Sequence, residues 1–316
     1  IHKPSGLRDG RLKAGVKAAF KGSRALLFIS ASGIAVRAVA PLLKGKQTDP
    51  AVVLMDEKGR FVVSLLSGHM GGANRLTKEL AAFFNATPVI TTATDISGLP
   101  SIEEVAERFS LAIENPKAIK KINSEILRGG KPFIIDKDLK RRKLIKGAYG
   151  RRFNFRASSP KSPDSPALVF ISSRFGLPLR LKDKALILRP KEFVVGIGCR
   201  RGVSAKGIGE SVRKAMEGAG LSFLSIKNLA TIDIKRDEKG LVSFAKSSGL
   251  PIDFFNAREL NRIKPPSGPS RFVRENTGAY GVCETAALLS SGGKRLWRRK
   301  IKSGRITIAL AKAGSI

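Results

Sequence analysis

The stretch from Ser64 to Leu80, SLLSGHMGGANRLTKEL, places a glycine-rich loop between a strand and a helix. The apolar run that ends at Ser67 predicts a buried strand, and the amphipathic run from Ala73 predicts a helix. A glycine-rich loop that leads into a helix directs backbone N–H groups towards an anion. We therefore predict a carboxylate or phosphate site here, with a purely packing loop as the alternative. The residues assigned to it are Gly68, Gly71, Gly72 and Asn74.

His69 lies inside this loop and is one of two histidines in the chain. A histidine beside an anion site is suited to transfer protons near neutral pH. A structural histidine is the alternative. We take His69 as the candidate catalytic base.

The segment VITTATD, residues 89–95, predicts a strand that ends in hydroxyl side chains and a carboxylate. Thr92 and Thr94 are assigned to substrate binding, and Asp95 to catalysis. Thr94 or Asp95 could instead cap the following helix. Arg37 stands on the apolar side of the helix predicted over GIAVRAVAPLL. Because an unpaired buried guanidinium is costly, we expect it to meet a carboxylate of the protein or of a ligand.

Outward from these segments, strand and helix patterns alternate along most of the chain, which predicts a multidomain α/β protein. The amino-terminal α/β domain is layered, has a largely parallel sheet and covers residues 1–125. A small basic middle region covers residues 126–190. A second α/β domain covers residues 191–316. The start at Ile1 leads us to expect that the amino-terminal domain is truncated.

The composition is that of a globular but strongly basic chain, with 59 Lys and Arg against 25 Asp and Glu and a formal charge of +34. Such a charge attracts polyanions. The chain has no aromatic interleaving or zinc knuckle, so specific nucleic-acid recognition is not expected. The sequence contains no apolar run long enough for a membrane span and no signal peptide, so we expect a cytoplasmic protein. The two cysteines and two histidines fit neither a disulfide framework nor a structural metal site.

The segment VVGIGCRRG, residues 194–202, places glycines after a predicted strand. The glycine spacing differs from the dinucleotide fingerprint, and no acidic residue closes a strand about 20 residues on. Arg200 and Arg201 offer forked donors that suit carboxylates. Gly196 and Gly198 are assigned to the same binding site.

Glu284, in GVCETAAL, lies early in a predicted helix. We include it among the catalytic candidates, with a favourable interaction at the helix amino end as the alternative. Cys199 and Cys283 have no histidine nearby in sequence, which makes either a weak candidate nucleophile.

Several long segments in order resemble the CbiG family, the cobalt-precorrin-5A hydrolases of anaerobic cobalamin biosynthesis. The resemblance covers nearly the whole chain, and the carboxy-terminal part resembles CobE of the aerobic pathway. Family members have an extra strand and helix before residue 1 and are not generally so basic. The segments are FISASGIAVRAVAPLL, KQTDPAVVLMDEKGRFVVSLLSGHMGGANRLTKELA, PVITTATD, VVGIGCRRG, LATIDIKRDEKGL and GVCETAALLSSGG.

The resemblance implies opening of the ring A lactone of cobalt-precorrin-5A and release of acetaldehyde, which leaves cobalt-precorrin-5B. It implies no metal or cofactor of the protein's own, because cobalt arrives with the substrate. Other enzymes of the corrin pathway are possible partners. On this reading His69 activates water, N–H groups around Gly71 and Gly72 hold the oxyanion, and Asp95 orients the imidazole or the water.

The carboxy-terminal half then supplies a cleft for substrate carboxylates, lined by Gly196, Gly198, Arg200, Arg201 and Glu284. A rival hypothesis assigns catalysis there to Glu284 or Cys199. Two other functions stay open: a corrinoid-binding or handover protein without catalysis, and a basic nucleic-acid-binding protein.

Overall fold

The structure is a computed structural model that describes residues 9–45, 48–68, 71–91, 99–158, 167–175 and 185–314. Its contacts divide the chain into two compact units. The first comprises Ile1–Val105 and Asn123–Gly130, and the second comprises Ala106–Ile122 and Lys131–Ile316. Both units mix helices with β-sheets, which confirms the predicted α/β class. The predicted division at residues 125 and 190 stays a prediction.

The first unit is built on a four-stranded sheet with the order β1-β2-β3-β4. The pairs β1/β2 and β3/β4 are parallel, and β2/β3 is an antiparallel hairpin. All five residues of β2 are buried, as expected for a central strand between helices. The elements are α1 (Asp9–Gly22), β1 (Ala25–Ile29), α2 (Ser32–Val39), β2 (Ala51–Met55), β3 (Phe61–Leu66), α3 (Ala73–Phe84) and β4 (Thr87–Val89).

Three helices and a second sheet follow along the chain. The sheet has the order β5-β9-β8-β6-β7 and is parallel except for the β5/β9 pair. All residues of its strands β8 and β9 are buried and, apart from Arg189, which pairs with Glu114, they are apolar, as is typical of parallel sheets. The elements are α4 (Ile102–Arg108), β5 (Leu111–Ile113), α5 (Ile119–Leu127), β6 (Phe133–Asp136), α6 (Leu139–Tyr149), β7 (Asn154–Arg156), β8 (Leu168–Ile171) and β9 (Ala185–Pro190).

The third sheet has the order β12-β11-β10-β14-β13. Strands β10, β11 and β12 are parallel, whereas β14 is antiparallel to both of its neighbours. The elements are β10 (Phe193–Cys199), α7 (Ala205–Gly218), β11 (Ile226–Ile232), α8 (Lys239–Ser248), β12 (Ile252–Phe255), α9 (Ala257–Leu260), α10 (Arg271–Thr277), α11 (Cys283–Ser291), β13 (Leu296–Ser303) and β14 (Ile306–Lys312).

The two faces of β10 pack against different helices because successive side chains of a strand point to opposite sides. Phe193, Val195 and Ile197 join the core beneath α7 and α8. Val194 packs with residues at the start of α11. The parallel strands therefore carry helices on both faces, and their carboxyl ends meet at one edge of the sheet.

Arg141 links the second and third sheets within the second unit. Its guanidinium contacts the buried carboxylate of Asp136, at the end of β6, and lies 3.2 Å from Glu192, just before β10. Lys312 of β14 also reaches Glu192, at 3.4 Å. Burial alone would lower the pKa of Arg141, but the carboxylates of Asp136, Glu192 and Asp138 together outweigh burial and hold that pKa above its ordinary value.

Within the described ranges, no helix is long and apolar enough to cross a bilayer.

Candidate functional site

The loop between β3 and α3 is closed by its own backbone. Ser67 has a φ of 58° and Gly72 a φ of 83°, so the chain turns through left-handed conformations at both ends of the loop. The first two amides of α3 are already bonded, since Ala73 N–H donates to Ser67 O at 3.2 Å and Asn74 N–H to Gly68 O at 2.9 Å. These two amides are therefore occupied, and the role of N–H groups around Gly71 and Gly72 in holding an anion stays a prediction.

Asn74 is buried and fixes the loop from within. The Ser64 hydroxyl donates to Asn74 Oδ1 at 2.6 Å. A Cβ on Gly68 would lie 2.6 Å from the same oxygen, and one on Gly71 would collide with Ser67. The geometry gives these glycines and Asn74 a packing role, which was the alternative considered from the sequence. Their role in binding substrate stays a prediction.

Four predicted residues of the amino-terminal site lie outside the described residues. They are His69, Thr92, Thr94 and Asp95. Their assignment as base, substrate contacts and orienting carboxylate stays a prediction.

The expectation that Arg37 is buried is wrong. Pairing with a carboxylate of a ligand stays a prediction, and no carboxylate among the described residues pairs with Arg37. Its side chain is exposed and donates to the carbonyl of Gly33, one turn earlier, at 3.4 Å. The buried face of α2 is formed by Ala35 and Val39. Arg37 lies two positions from each, and this spacing places it on the opposite side of a helix. Its assignment to substrate binding is a separate matter and stays a prediction.

Gly196 and Gly198 let α11 approach the carboxyl end of β10. A Cβ on Gly196 would collide with the carbonyl oxygen of Cys283, and one on Gly198 would lie 2.6 Å from Thr307 Oγ1. The Thr307 hydroxyl donates to Gly198 O at 3.1 Å. These contacts give both glycines a packing role at the edge of the sheet where a ligand would bind.

Glu284 is buried in the first turn of α11, and both of its carboxylate oxygens accept hydrogen bonds. Oε1 accepts from the Ser267 hydroxyl at 2.7 Å and from Lys300 N–H at 3.0 Å, and Oε2 accepts from Ser267 N–H at 2.9 Å. It thereby ties the loop before α10 and the edge strand β13 to the helix. This arrangement indicates a structural role, and the predicted catalytic role is untested.

Arg200 and Arg201 are both exposed just beyond the end of β10. The guanidinium of Arg200 lies over the ring of Phe272, 5.7 Å from its centroid, and Phe272 itself is 59% exposed. Arg201 forms an exposed ion pair with Asp237 at 3.3 Å. Exposed ion pairs contribute little to stability, so Arg201 can exchange this partner for the carboxylate of a ligand.

Lys235 and Glu238 form a buried pair at the same edge, and the sequence did not single them out. They stand in IDIKRDEKG, a charged run typical of a solvated turn. The one feature of the sequence that could have indicated this burial is Gly240, two residues after Glu238. A Cβ on Gly240 would collide with the carbonyl oxygen of Val203, so the turn after β11 lies against the loop after β10.

The two thiols are poor nucleophiles in this fold. Burial raises the pKa of Cys199, and of its charged neighbours Lys235 opposes that shift while Glu238 adds to it. Burial also raises the pKa of Cys283, to about 11. A reactive cysteine needs a lowered pKa, so the geometry does not favour the hypothesis that Cys199 is a nucleophile. Among the described residues, no group of three or more His, Cys, Asp or Glu side chains could hold a metal ion.

The fold and these residues define the class of the protein: a multi-sheet α/β protein with glycines near strand ends and exposed arginines beyond the carboxyl end of β10, the edge where ligands bind in such sheets. Two family models match this chain. "Cobalamin synthesis G N-terminal" covers residues 14–95, and "Cobalamin synthesis G C-terminus" covers residues 193–311. The chain belongs to the cobalamin synthesis G family, CbiG, as the resemblance predicted.

Curated relatives agree with the family models. A protein of Priestia megaterium named cobalt-precorrin-5A hydrolase is 33% identical over 96% of this chain and 82% of its own length. A protein of Salmonella typhimurium with the same name is 34% identical over 96% of this chain and 86% of its own length. Protein CobE of Sinorhizobium sp is 31% identical over 37% of this chain and 78% of its own length.

Proposed function

We propose that this protein is a cobalt-precorrin-5A hydrolase of cobalamin biosynthesis. The observation that carries the proposal is the name shared by the Priestia and Salmonella relatives, each at least 33% identical over 96% of the chain. The reaction hydrolyses the ring A lactone and releases a two-carbon unit as acetaldehyde, giving cobalt-precorrin-5B. We place it in the cytoplasm, with other corrin-pathway enzymes as candidate partners.

The substrate carries acetate and propionate arms, and the exposed arginines beyond β10 suit them. Arg200 and Arg201 stand side by side on a loop at the carboxyl edge of parallel strands. A guanidinium binds a carboxylate through two parallel hydrogen bonds. The exposed ring of Phe272, already beneath Arg200, adds an apolar surface next to these charges. This part of the chain is our proposed binding surface for the macrocycle.

The proposed chemistry begins with water attack on the lactone carbonyl. His69 takes the proton from water, and N–H groups around Gly71 and Gly72 stabilise the developing oxyanion. Collapse of that intermediate breaks the acyl carbon–oxygen bond, which leaves a carboxylic acid and an alkoxide on the extruded carbon. The acid then ionises to a carboxylate, and its proton and the proton held by His69 pass to solvent. Asp95 orients the imidazole or the water.

The alkoxide then becomes a carbonyl as the bond between its carbon and the macrocycle breaks. The electron pair of that bond passes to the electron-poor corrinoid, and the two-carbon unit leaves as acetaldehyde. The protein supplies no redox equivalent in this scheme. Cobalt belongs to the substrate, and we propose no metal or cofactor of the protein's own.

The proposal is tested by anaerobic incubation with enzymatically prepared cobalt-precorrin-5A. Acetaldehyde and the mass of the macrocycle are measured for wild type, His69→Ala and His2→Ala, which removes the other histidine of the chain. We expect turnover by wild type and His2→Ala, and loss of about 10²-fold or more for His69→Ala. A folded His69→Ala protein with full turnover contradicts the assigned base. Absence of acetaldehyde with wild type contradicts the proposed reaction.

A second candidate function is corrinoid binding or handover without catalysis, which the similarity of the carboxy-terminal part to Protein CobE favours. In that case the macrocycle is bound but its mass does not change, and His69→Ala binds as well as wild type. Nucleic-acid binding remains the less favoured alternative, and a steep fall of affinity with salt for any DNA sequence would indicate it.

A further inference from the structure

Two loops at the carboxyl edge of the third sheet are joined at several points. The first, which we call the Cys199–Ser204 loop, comprises the last residue of β10 and the loop that follows it, and the second is the turn 233–238 after β11. The first carries Arg200 and Arg201 of the proposed binding surface. What fixes the first loop therefore also determines where these two guanidiniums stand.

The central connection is the carboxylate of Glu238. Its Oε1 accepts from Gly202 N–H at 3.0 Å, and its Oε2 lies 3.5 Å from Lys235 Nζ. Glu238 is 7% exposed and Lys235 is 8% exposed. Gly202 has a φ of 76°, a left-handed conformation that directs its N–H towards the carboxylate.

The surroundings leave Glu238 little freedom to move. Val203 O lies against Gly240 so closely that no Cβ fits there. Separating a buried charge pair leaves each charge uncompensated, which costs free energy. Lys235 and Glu238 are therefore held next to each other. The remaining link is the ion pair between Arg201 and Asp237. Their side chains are 72% and 68% exposed, so this pair contributes little to fixing the loop.

We propose that Glu238, held by Lys235, is a positioning residue that fixes the Cys199–Ser204 loop so that Arg200 and Arg201 meet the carboxylates of the ligand. The role in ligand binding rests on the proposed function, whereas the role in fixing the loop does not. Glu238 is not itself a ligand group in this proposal, because its carboxylate is buried, negatively charged and bonded to the loop.

Cys199 provides a reporter of the loop that is independent of activity. It is the first residue of the loop and half-buried, and the other cysteine of the chain, Cys283, is buried with a pKa raised to about 11. Alkylation by iodoacetamide is followed as a function of pH, with the modified residue identified by mass spectrometry. The plateau rate at high pH, where the thiol is ionised in every variant, measures how often the loop opens at Cys199 without the effect that Lys235 and Glu238 have on the Cys199 pKa.

The test compares Glu238→Ala with Glu217→Ala, which removes an exposed carboxylate of α7 away from the loop. For Glu238→Ala we expect Cys199 alkylation to be about tenfold faster, and KM for cobalt-precorrin-5A to rise about tenfold with kcat within about twofold of wild type. Glu217→Ala should match wild type within about twofold in all three quantities. Wild-type alkylation in folded Glu238→Ala overturns the proposal. An unchanged KM, or a loss confined to kcat, overturns the role in binding.

A second variant covers the case in which Glu238→Ala does not fold. Lys235→Met combined with Glu238→Leu leaves no buried charge unpaired but still removes the acceptor for Gly202 N–H. We expect the same faster alkylation and higher KM in this double variant, and wild-type values would contradict the proposal. If wild type produces no acetaldehyde, the proposed function fails, and the alkylation rates alone still decide whether Glu238 fixes the loop.

Discussion

The guanidinium of Arg141 binds the buried carboxylate of Asp136 through two hydrogen bonds, from Nε at 2.7 Å and from Nη2 at 2.8 Å. Asp136 ends a strand of the second sheet, and Arg141 also reaches Glu192 at the entry to the third. Two parallel hydrogen bonds fix the orientation of the guanidinium relative to the carboxylate, in addition to pairing their charges. Arg141 is thus one of the connections between the two sheets of the second unit, beside backbone hydrogen bonds such as Ser222 N–H to Ser173 O.

The first prediction concerns this connection. Arg141→Ala should lower the free energy of unfolding by about 3–5 kcal/mol, because Asp136 is left buried without its counter-charge. Lys143→Ala, an exposed residue of the same helix, is the matched control and should change it by less than about 0.5 kcal/mol. Urea unfolding followed by circular dichroism provides the comparison, and equal midpoints for the two variants would refute the assignment.

The second prediction separates structure from catalysis at Glu284. Its carboxylate is occupied by Ser267 and Lys300, so Glu284→Gln should lower the melting temperature while turnover of the folded protein stays within about tenfold of wild type. A catalytic carboxylate would instead lose about 10²–10⁴-fold in kcat at a nearly unchanged melting temperature. Acetaldehyde assays at 15 °C below the lower melting temperature, about the margin needed for a fully folded sample, distinguish the two.

The third prediction tests the approach of α11 to β10. Gly196→Ala should destabilise by about 1–3 kcal/mol, because the added Cβ collides with the carbonyl oxygen of Cys283. Gly218→Ala, at the end of α7 with open space around it, should be neutral or stabilise by up to about 1 kcal/mol. Thermal unfolding of both variants gives the test, and a neutral Gly196→Ala would show that the helix does not pack this closely.

The fourth prediction concerns pH and Asp138, which caps α6 by accepting from Arg141 N–H at 3.0 Å. Burial raises its pKa, but the Arg141 N–H and the Arg141 charge outweigh burial and hold it below the ordinary value of 3.8. Since the folded pKa is depressed, this stabilisation is fully present above the unfolded pKa and is lost as pH falls through the folded one.

Asp138→Asn keeps a capping oxygen but cannot titrate. Wild type should therefore be the more stable protein at pH 6, and the difference in free energy of unfolding should shrink steadily below about pH 4. Urea denaturation between pH 6 and pH 2.5 measures that difference. A gap that is constant over this range would mean that the Asp138 charge contributes nothing.

The α/β class and the family could be predicted because they depend on local patterns. Short stretches of sequence are enough to show the alternation of buried strands with amphipathic helices. The glycines at 68, 71, 196 and 198 follow apolar runs, and they can be recognised without knowing how the helices pack. The packing role of Gly196 could not be predicted from the sequence, because Cys283 is distant along the chain and contacts Gly196 only in the folded protein.

Arg37 shows where a local pattern fails. Its neighbours Ile34 and Val36 suggested an apolar helix face, yet these side chains are 47% and 45% exposed and the small Ala35 faces the core. Five of the eight residues of this helix are apolar, so the sequence pattern does not define one apolar face and packing decides which residues are buried. Lys235 and Glu238 show the opposite error, since a charged run typical of a solvated turn is covered once the loop after β10 lies over it.

The position of β10 has a consequence for how the chain reaches its fold during synthesis. This strand is central in its sheet, but its neighbour β14 comes much later, so that Gly198 and Thr307 are 109 residues apart. Contacts between such distant residues form slowly and cannot begin before residues 306–312 have left the ribosome. Until then one edge of β10 presents unpaired backbone groups, so the nascent chain is exposed to aggregation along the strand that precedes the Arg200–Arg201 loop.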